Sequence, residues 1–207
     1  MKVKICGVQT VEAAKAVEDS GADMIGFLFA DSRRRVTVGE AEKIAGALGP
    51  GIRKAGVFVN AGKDEIDEAI RRAGLDYVQL HGDEDGDFAR SLDARIIKAF
   101  SHASPCTYRE MFSFPADFIL IDSGSSDYRG GTGRVFDWSA LEHPDIDKER
   151  LILAGGLNAG NIRAACSRVG PHAVDLSSGA ETDGAKDPEK IKDIMNEVRS
   201  VNDGENL

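Results

Sequence analysis

One thiol, two carboxylates, an imidazole and a run of arginines each close or follow a short apolar run in this chain. Cys6-Gly7 closes the first run, Ser32-Arg33-Arg34-Arg35 follows the second, Val59-Asn60 closes the third, and Gln79-Leu80-His81-Gly82 closes the fourth. Asp122-Ser123-Gly124, Ala154-Gly155-Gly156 and Asp175-Leu176-Ser177-Ser178-Gly179 end later ones. A thiol with an ordinary pKa of about 8.5 is a poor base at neutral pH unless a positive or dipolar neighbour lowers it. A carboxylic acid must hold its proton to donate it, which burial favours. Taken alone, Cys6 reads more readily as a small buried hydrophobe, and Asp122 as readily as a loop cap. The two glycine-rich turns can bring backbone N–H groups to a phosphate at a helix N-terminus. The set suggests acid–base chemistry on a small phosphorylated molecule.

The runs that carry these groups set the frame. They cover residues 3–6, 24–29, 55–59, 77–80, 95–100, 118–122, 151–154 and 173–176, each four to six residues long and nearly continuous in apolar character. Strands buried on both faces of a parallel sheet have this pattern. Eight runs in 207 residues leave about 26 residues per unit, room for a strand, a helix and two short loops. Helical signals fill the gaps. Thr10 can cap a helix presenting Val11, Ala14 and Val17 and ending at Gly21. Asp64-Glu65 lead into Ile66, Ala69, Ile70 and Ala73, with Gly74 as a stop. Asp187-Pro188 starts a helix with Ile191, Ile194, Met195 and Val198 on one face. Residues 101–113 carry a weaker pattern that fits a short or irregular helix.

Alternation of eight strands with helices predicts an α/β fold, and eight strands close a small (β/α)8 TIM barrel. An open doubly wound sheet usually has fewer strands, and no G-x-G-x-x-G or P-loop spacing occurs here. In a barrel, these run ends share the C-terminal rim where active sites lie. The expected organisation is one barrel domain over residues 1–201 and a polar tail over residues 202–207. A net charge of −9, with no basic run longer than Arg33-Arg34-Arg35, argues against nucleic acid as a partner. No apolar stretch approaches the roughly 20 residues of a membrane span, and the first residues lack the apolar core of a signal peptide. Three widely spaced cysteines, at 6, 106 and 166, fit a reducing cytoplasm and give no metal-type spacing. Monomer and homodimer are both open.

Six segments in order resemble the phosphoribosylanthranilate isomerase family. They are Lys4-Ile5-Cys6-Gly7, Gly56-Val57-Phe58-Val59-Asn60, Val78-Gln79-Leu80-His81-Gly82, Gly130-Gly131-Thr132-Gly133 followed by Phe136-Asp137-Trp138, Leu153-Ala154-Gly155-Gly156-Leu157, and Val174-Asp175-Leu176-Ser177-Ser178-Gly179. The resemblance implies a single barrel of tryptophan biosynthesis that works without metal or organic cofactor. Its reaction would be the Amadori rearrangement of N-(5-phosphoribosyl)anthranilate, an aminoaldose, to the 1-deoxyribulose 5-phosphate ketose. It implies Cys6 as general base and Asp122 as general acid, and associates Arg34 with the anthranilate end. Gln79, His81 and Asp175 become substrate contacts, and Gly155, Gly156, Ser178 and Gly179 the phosphate site. Residues 123–134, with four glycines and three serines, read as a lid. Two positions depart from the family pattern: Arg33 stands where Ser-Pro-Arg has proline, and Ala159-Gly160 where Pro-Glu follows the seventh-strand glycines. Two rivals are weighed. An aminoaldose isomerase of histidine biosynthesis would put a carboxylate where Cys6 stands and show half-barrel repeats, and no convincing repeat is present. A non-catalytic phosphate-binding barrel would need neither Cys6 nor Asp122.

Overall fold

All eight apolar runs form strands, and the strands close on themselves. The computed structural model describes residues 1–123 and 137–204. Its barrel is built from β1 (Lys2–Cys6), β2 (Met24–Leu28), β3 (Arg53–Phe58), β4 (Tyr77–Leu80), β5 (Arg95–Ser101), β6 (Phe118–Asp122), β7 (Leu151–Leu153) and β8 (Ala173–Leu176). Each strand pairs in parallel with its neighbour in sequence, and β8 returns to β1 through Lys2↔Ala173, Val3↔Val174, Lys4↔Asp175 and Ile5↔Leu176. The expected small (β/α)8 barrel is the fold found. β3 begins two residues before the apolar run because Asp76 ties down its polar start: Arg53 Nη1 lies 2.8 Å from Asp76 Oδ1, and the Lys54 N–H donates to Oδ2 at 2.8 Å.

Burial on both faces explains the continuous apolar character of the runs. Ala55, Tyr77, Ile97, Ala99, Leu120, Ile152, Ala154 and Ala173 fill the barrel interior. The alternating residues, among them Val3, Ile5, Ile25, Phe27, Val78, Leu80, Ile119, Ile121 and Val174, pack outward under the helices. These are α1 (Val11–Asp19), α2 (Val38–Gly46), α3 (Lys63–Ala73), α4 (Gly86–Ser91), α5 (Tyr108–Ser113), α6 (Ile162–Val169) and α7 (Pro188–Asn202). Thr10 caps α1 by accepting from the Ala13 N–H at 3.1 Å, Gly74 ends α3 in the left-handed region, and Asp187 caps α7 ahead of Pro188. The weak pattern near residue 108 is the six-residue α5, which Thr107 and Glu110 hold with reciprocal capping bonds. Two further strands, β9 (Glu181–Thr182) and β10 (Ala185–Lys186), make an antiparallel hairpin beyond β8.

The two barrel ends differ chemically. At the N-terminal end, the Arg95 guanidinium lies 4.5 Å from the Tyr77 ring centroid, and Phe118 stacks on His172 at 4.8 Å. These contacts plug the floor with cation–π and aromatic packing. The C-terminal end carries the thiol, the carboxylates and the glycine turns. Residues 124–134 of the segment read as a lid lie outside the described residues. Among the described residues no helix is long and apolar enough to cross a membrane.

Candidate active site

Cys6 ends β1 with its side chain turned into the barrel, 6% exposed. Gly26 on β2 makes this possible: a Cβ there would stand 2.8 Å from the Cys6 sulfur. The two cations expected of an activated thiol are present, Lys4 on the same strand and Lys186 on β10. Burial nonetheless dominates and holds the thiol above its usual pKa, with Lys4 and Lys186 pulling it down and Asp175 pushing it up. The lowering expected of an activated thiol is therefore not found in the free protein, where the two cations only offset part of the cost of burial.

Asp122 ends β6, buried, three strands around the barrel from β1. Its backbone carbonyl accepts from the His102 N–H at 2.7 Å, and the Ser123 hydroxyl lies 3.4 Å from its Oδ1. Ser123 also packs against the turn after β7. A Cβ on Gly155, whose φ is +92°, would fall 2.4 Å from the Ser123 backbone nitrogen. The bare backbone of Gly155 thus keeps the acid's strand end against the next rim turn.

Gly156 continues that turn with φ +66°, and its carbonyl accepts from the Asn158 and Asn161 side-chain amides at 3.2 and 2.9 Å. The turn leads directly into the N-terminus of α6. Ser178 and Gly179 lie in a single 3-10 turn, Ser178–Ala180, after β8. A Cβ on Gly179 would stand 1.9 Å from the Leu157 carbonyl oxygen, so this glycine lets the two rim turns touch. Gly155 and Gly179 are thus both crowded by protein atoms, a reason for glycine that the sequence pattern alone did not reveal.

Gln79 and His81 project from the end of β4. Gln79 Nε2 lies 3.1 Å from His81 Nδ1, while the buried Gln79 Oε1 has no hydrogen-bond partner among the described residues. Burial, followed by the nearby Lys4 charge, pushes the His81 imidazole down to about 4. A ring that stays neutral and holds protons so weakly is a poor general base near neutrality.

Arg34 is buried in the loop after β2, where it forks onto Glu181, with Nε 2.6 Å from Oε1 and Nη2 2.9 Å from Oε2. Arg33, in the position of the family proline, also reaches Glu181, at 2.8 Å, and its carbonyl accepts from Gln9 Nε2 at 3.1 Å. Lys186 completes the set, bonding to Glu181 and donating to the Ser177 carbonyl at 3.1 Å. Burial alone would raise the Glu181 carboxyl, but hydrogen bonds from Arg34 and Lys186 overrule it and hold it below its usual value. Three cations meet one carboxylate, which leaves this side of the rim positive and pins the loops on either side of Cys6 to each other.

Asp175 on β8 is engaged below the rim by Lys4, whose Nζ lies 2.9 Å from Oδ1. Sequence reasoning singled out Cys6, Asp122, Arg34, Gln79, His81 and Asp175 but missed Lys4, Glu181 and Lys186. Lys4 could have been noticed as a charge two residues before Cys6 in the otherwise apolar run 3–6. Glu181 and Lys186 are paired by the hairpin register, Lys186↔Glu181, which no local pattern marks.

Comparison with known proteins gives one consistent answer. A family model described as N-(5'phosphoribosyl)anthranilate (PRA) isomerase matches residues 3–197. The N-(5'-phosphoribosyl)anthranilate isomerase of Listeria monocytogenes serovar 1/2a is 46% identical over 202 residues, covering 97% of this chain and 100% of the relative. The crystal structure of phosphoribosyl anthranilate isomerase from Thermus thermophilus superposes with a TM-score of 0.87 at 32% identity, over 97% of this chain and 100% of that one. A second similar structure is phosphoribosyl anthranilate isomerase in complex with reduced 1-(o-carboxyphenylamino)-1-deoxyribulose 5-phosphate, with a TM-score of 0.80 at 33% identity, over 97% and 99% of the two chains.

Proposed function

We propose that, since this chain belongs to the N-(5'-phosphoribosyl)anthranilate isomerase family, Cys6 and Asp122 carry the two proton transfers of its reaction. The chain catalyses an aldose–ketose isomerisation in tryptophan biosynthesis, the Amadori rearrangement of N-(5'-phosphoribosyl)anthranilate. Asp122 gives its proton to the furanose ring oxygen as the bond from that oxygen to carbon 1 breaks. The anthranilate nitrogen lone pair then forms a protonated Schiff base with carbon 1. The Cys6 thiolate removes the proton from carbon 2, and the released electron pair makes the carbon 1–carbon 2 double bond while the Schiff-base nitrogen becomes neutral. The resulting enolamine tautomerises to the ketose.

The observation that carries this reading is a buried thiol and a buried carboxylate ending β1 and β6 at one barrel mouth, beside a positive rim. In this reading the turns with Gly155, Gly156, Ser178 and Gly179 hold the phosphate, using N–H groups at the start of α6 and of the short turn after β8. Arg34, held by Glu181, faces the anthranilate carboxylate, and the unsatisfied Gln79 Oε1 is available to a sugar hydroxyl. Phosphate and anthranilate then supply remote binding energy that fixes the sugar between acid and base. The free cysteines favour a reducing compartment, and we place the enzyme in the cytoplasm.

Freshly formed phosphoribosylanthranilate tests the activity, because its anthranilate emission falls on rearrangement. Catalytic amounts of the protein are expected to make that fluorescence decay with saturable kinetics. Emission that decays no faster than without protein would overturn the assignment.

A further inference from the structure

A lysine at the bottom of the site, in a barrel interior where Ala55, Ile97, Ala99, Leu120 and Ile152 form an apolar cluster, requires an explanation. Lys4 is 1% exposed. Burying an ammonium is costly even when it is paired, and an apolar side chain of similar size often serves packing better. Its charge faces two groups. One is Asp175, its directly opposed residue in the β1–β8 ladder, at 2.9 Å. The other is Cys6, two residues along the same strand and so on the same inward face.

Among the described residues, few charged groups act on the thiol. β1 contributes Lys4, β8 contributes Asp175, β10 contributes Lys186, and β2 presents only the bare Gly26 backbone. Lys186 is already tied to Glu181, itself shared with Arg33 and Arg34. His81 on the β4 side is kept neutral. Burial alone would depress the Lys4 ammonium, but Asp175 and then Cys6 more than offset this and hold it above its usual value. Lys4 therefore stays charged beneath the thiol throughout the neutral range.

We propose that Lys4 is a positioning residue that stabilises the Cys6 thiolate, and that Asp175 opposes it by drawing on the same ammonium. Deprotonation sends the Sγ proton to solvent and leaves a negative sulfur beside Lys4. The thiolate then takes the carbon 2 proton of the substrate and returns to a thiol. The inference rests on Cys6 as the base, and it gives Asp175 a task inside the barrel in addition to, or in place of, touching substrate.

The test follows the 13Cβ resonance of Cys6 from neutral to strongly alkaline pH, assigned by its loss in Cys6→Ser, together with the pH profile of kcat/KM. Lys4→Met is expected to raise the thiol midpoint by at least about one pH unit, a tenfold loss of thiolate at a given pH. Lys4→Arg should restore most of it, and Asp175→Asn should lower the midpoint. Opposite shifts from the two neutralising variants mark electrostatics, whereas a packing role would move both the same way or neither. If Lys4→Met does not fold, Asp175→Asn decides alone, and a midpoint that rises or stays would overturn the proposal. So would an Asp175→Asn enzyme with raised KM and an unmoved thiol, which would assign Asp175 to substrate. Should the midpoints shift as expected while kcat/KM keeps its parental profile, Lys4 governs the thiol but the thiol is not the base. Should Cys6→Ser be inactive while the midpoints stand still, the base stands and the Lys4 proposal falls.

Discussion

Cys6→Ser is expected to lose ~10²–10⁴-fold in kcat, the usual range for removing a general base, while binding a product analogue about as tightly as the parent. The substitution keeps the size of a side chain already confined by Gly26, whose missing Cβ leaves just enough room for the sulfur. It replaces an ionisable thiol by a hydroxyl that forms no comparable anion. Because burial holds the thiol above its usual pKa, the parental kcat/KM should climb with pH as thiolate accumulates, and that climb should disappear in Cys6→Ser. Cys106→Ser is the control: this cysteine is exposed, in the loop before α5, and its loss should leave kcat unchanged. A Cys6→Ser enzyme retaining more than about a tenth of the parental kcat would fall outside the range for a lost base and dismiss the thiol from that role.

A loss of similar size, again ~10²–10⁴-fold in kcat, is expected of Asp122→Asn. The amide keeps the shape of the carboxyl and can still donate a hydrogen bond to the ring oxygen, so KM should change little. It has no acidic proton to hand over, so the bond between carbon 1 and the ring oxygen must break without protonation. The site should otherwise persist, because Asp122 is anchored through its backbone carbonyl to His102 and through the Ser123–Gly155 contact, neither of which needs the carboxyl proton. Near-parental kcat in Asp122→Asn would remove the carboxyl from the ring-opening step.

The barrel was legible because its strands are buried on both faces, so each reads as a short apolar run, and eight such runs leave little choice of architecture. The helices were legible where a cap marked them, at Thr10, Gly74 and Asp187-Pro188. The hairpin Glu181–Lys186 was not, because its buried residues are charged and look like an exposed loop until the rung between them is formed. The same blindness hid Lys4, whose burial depends on Asp175 arriving from the other end of the chain, 171 residues away. Arg34 was picked out by its place after the second strand, but its fork onto Glu181 is a long-range contact of the same kind. Gly155 and Gly179 were singled out for letting a ligand approach, whereas the nearest atoms they admit belong to Ser123 and Leu157. Local pattern reveals which residues reach the rim. Which of them are already committed to one another appears only when the barrel closes.

The division of labour between Cys6 and Asp122 is tested most directly by comparing kcat for substrate carrying hydrogen or deuterium at carbon 2 in the two variants. With the base weakened, cleavage of the carbon 2 bond should limit Cys6→Ser, and a full primary isotope effect should appear. With the acid removed, ring opening should limit Asp122→Asn, and the isotope effect should vanish. A full effect in Asp122→Asn with none in Cys6→Ser would contradict the assignment of thiol and carboxyl to these steps.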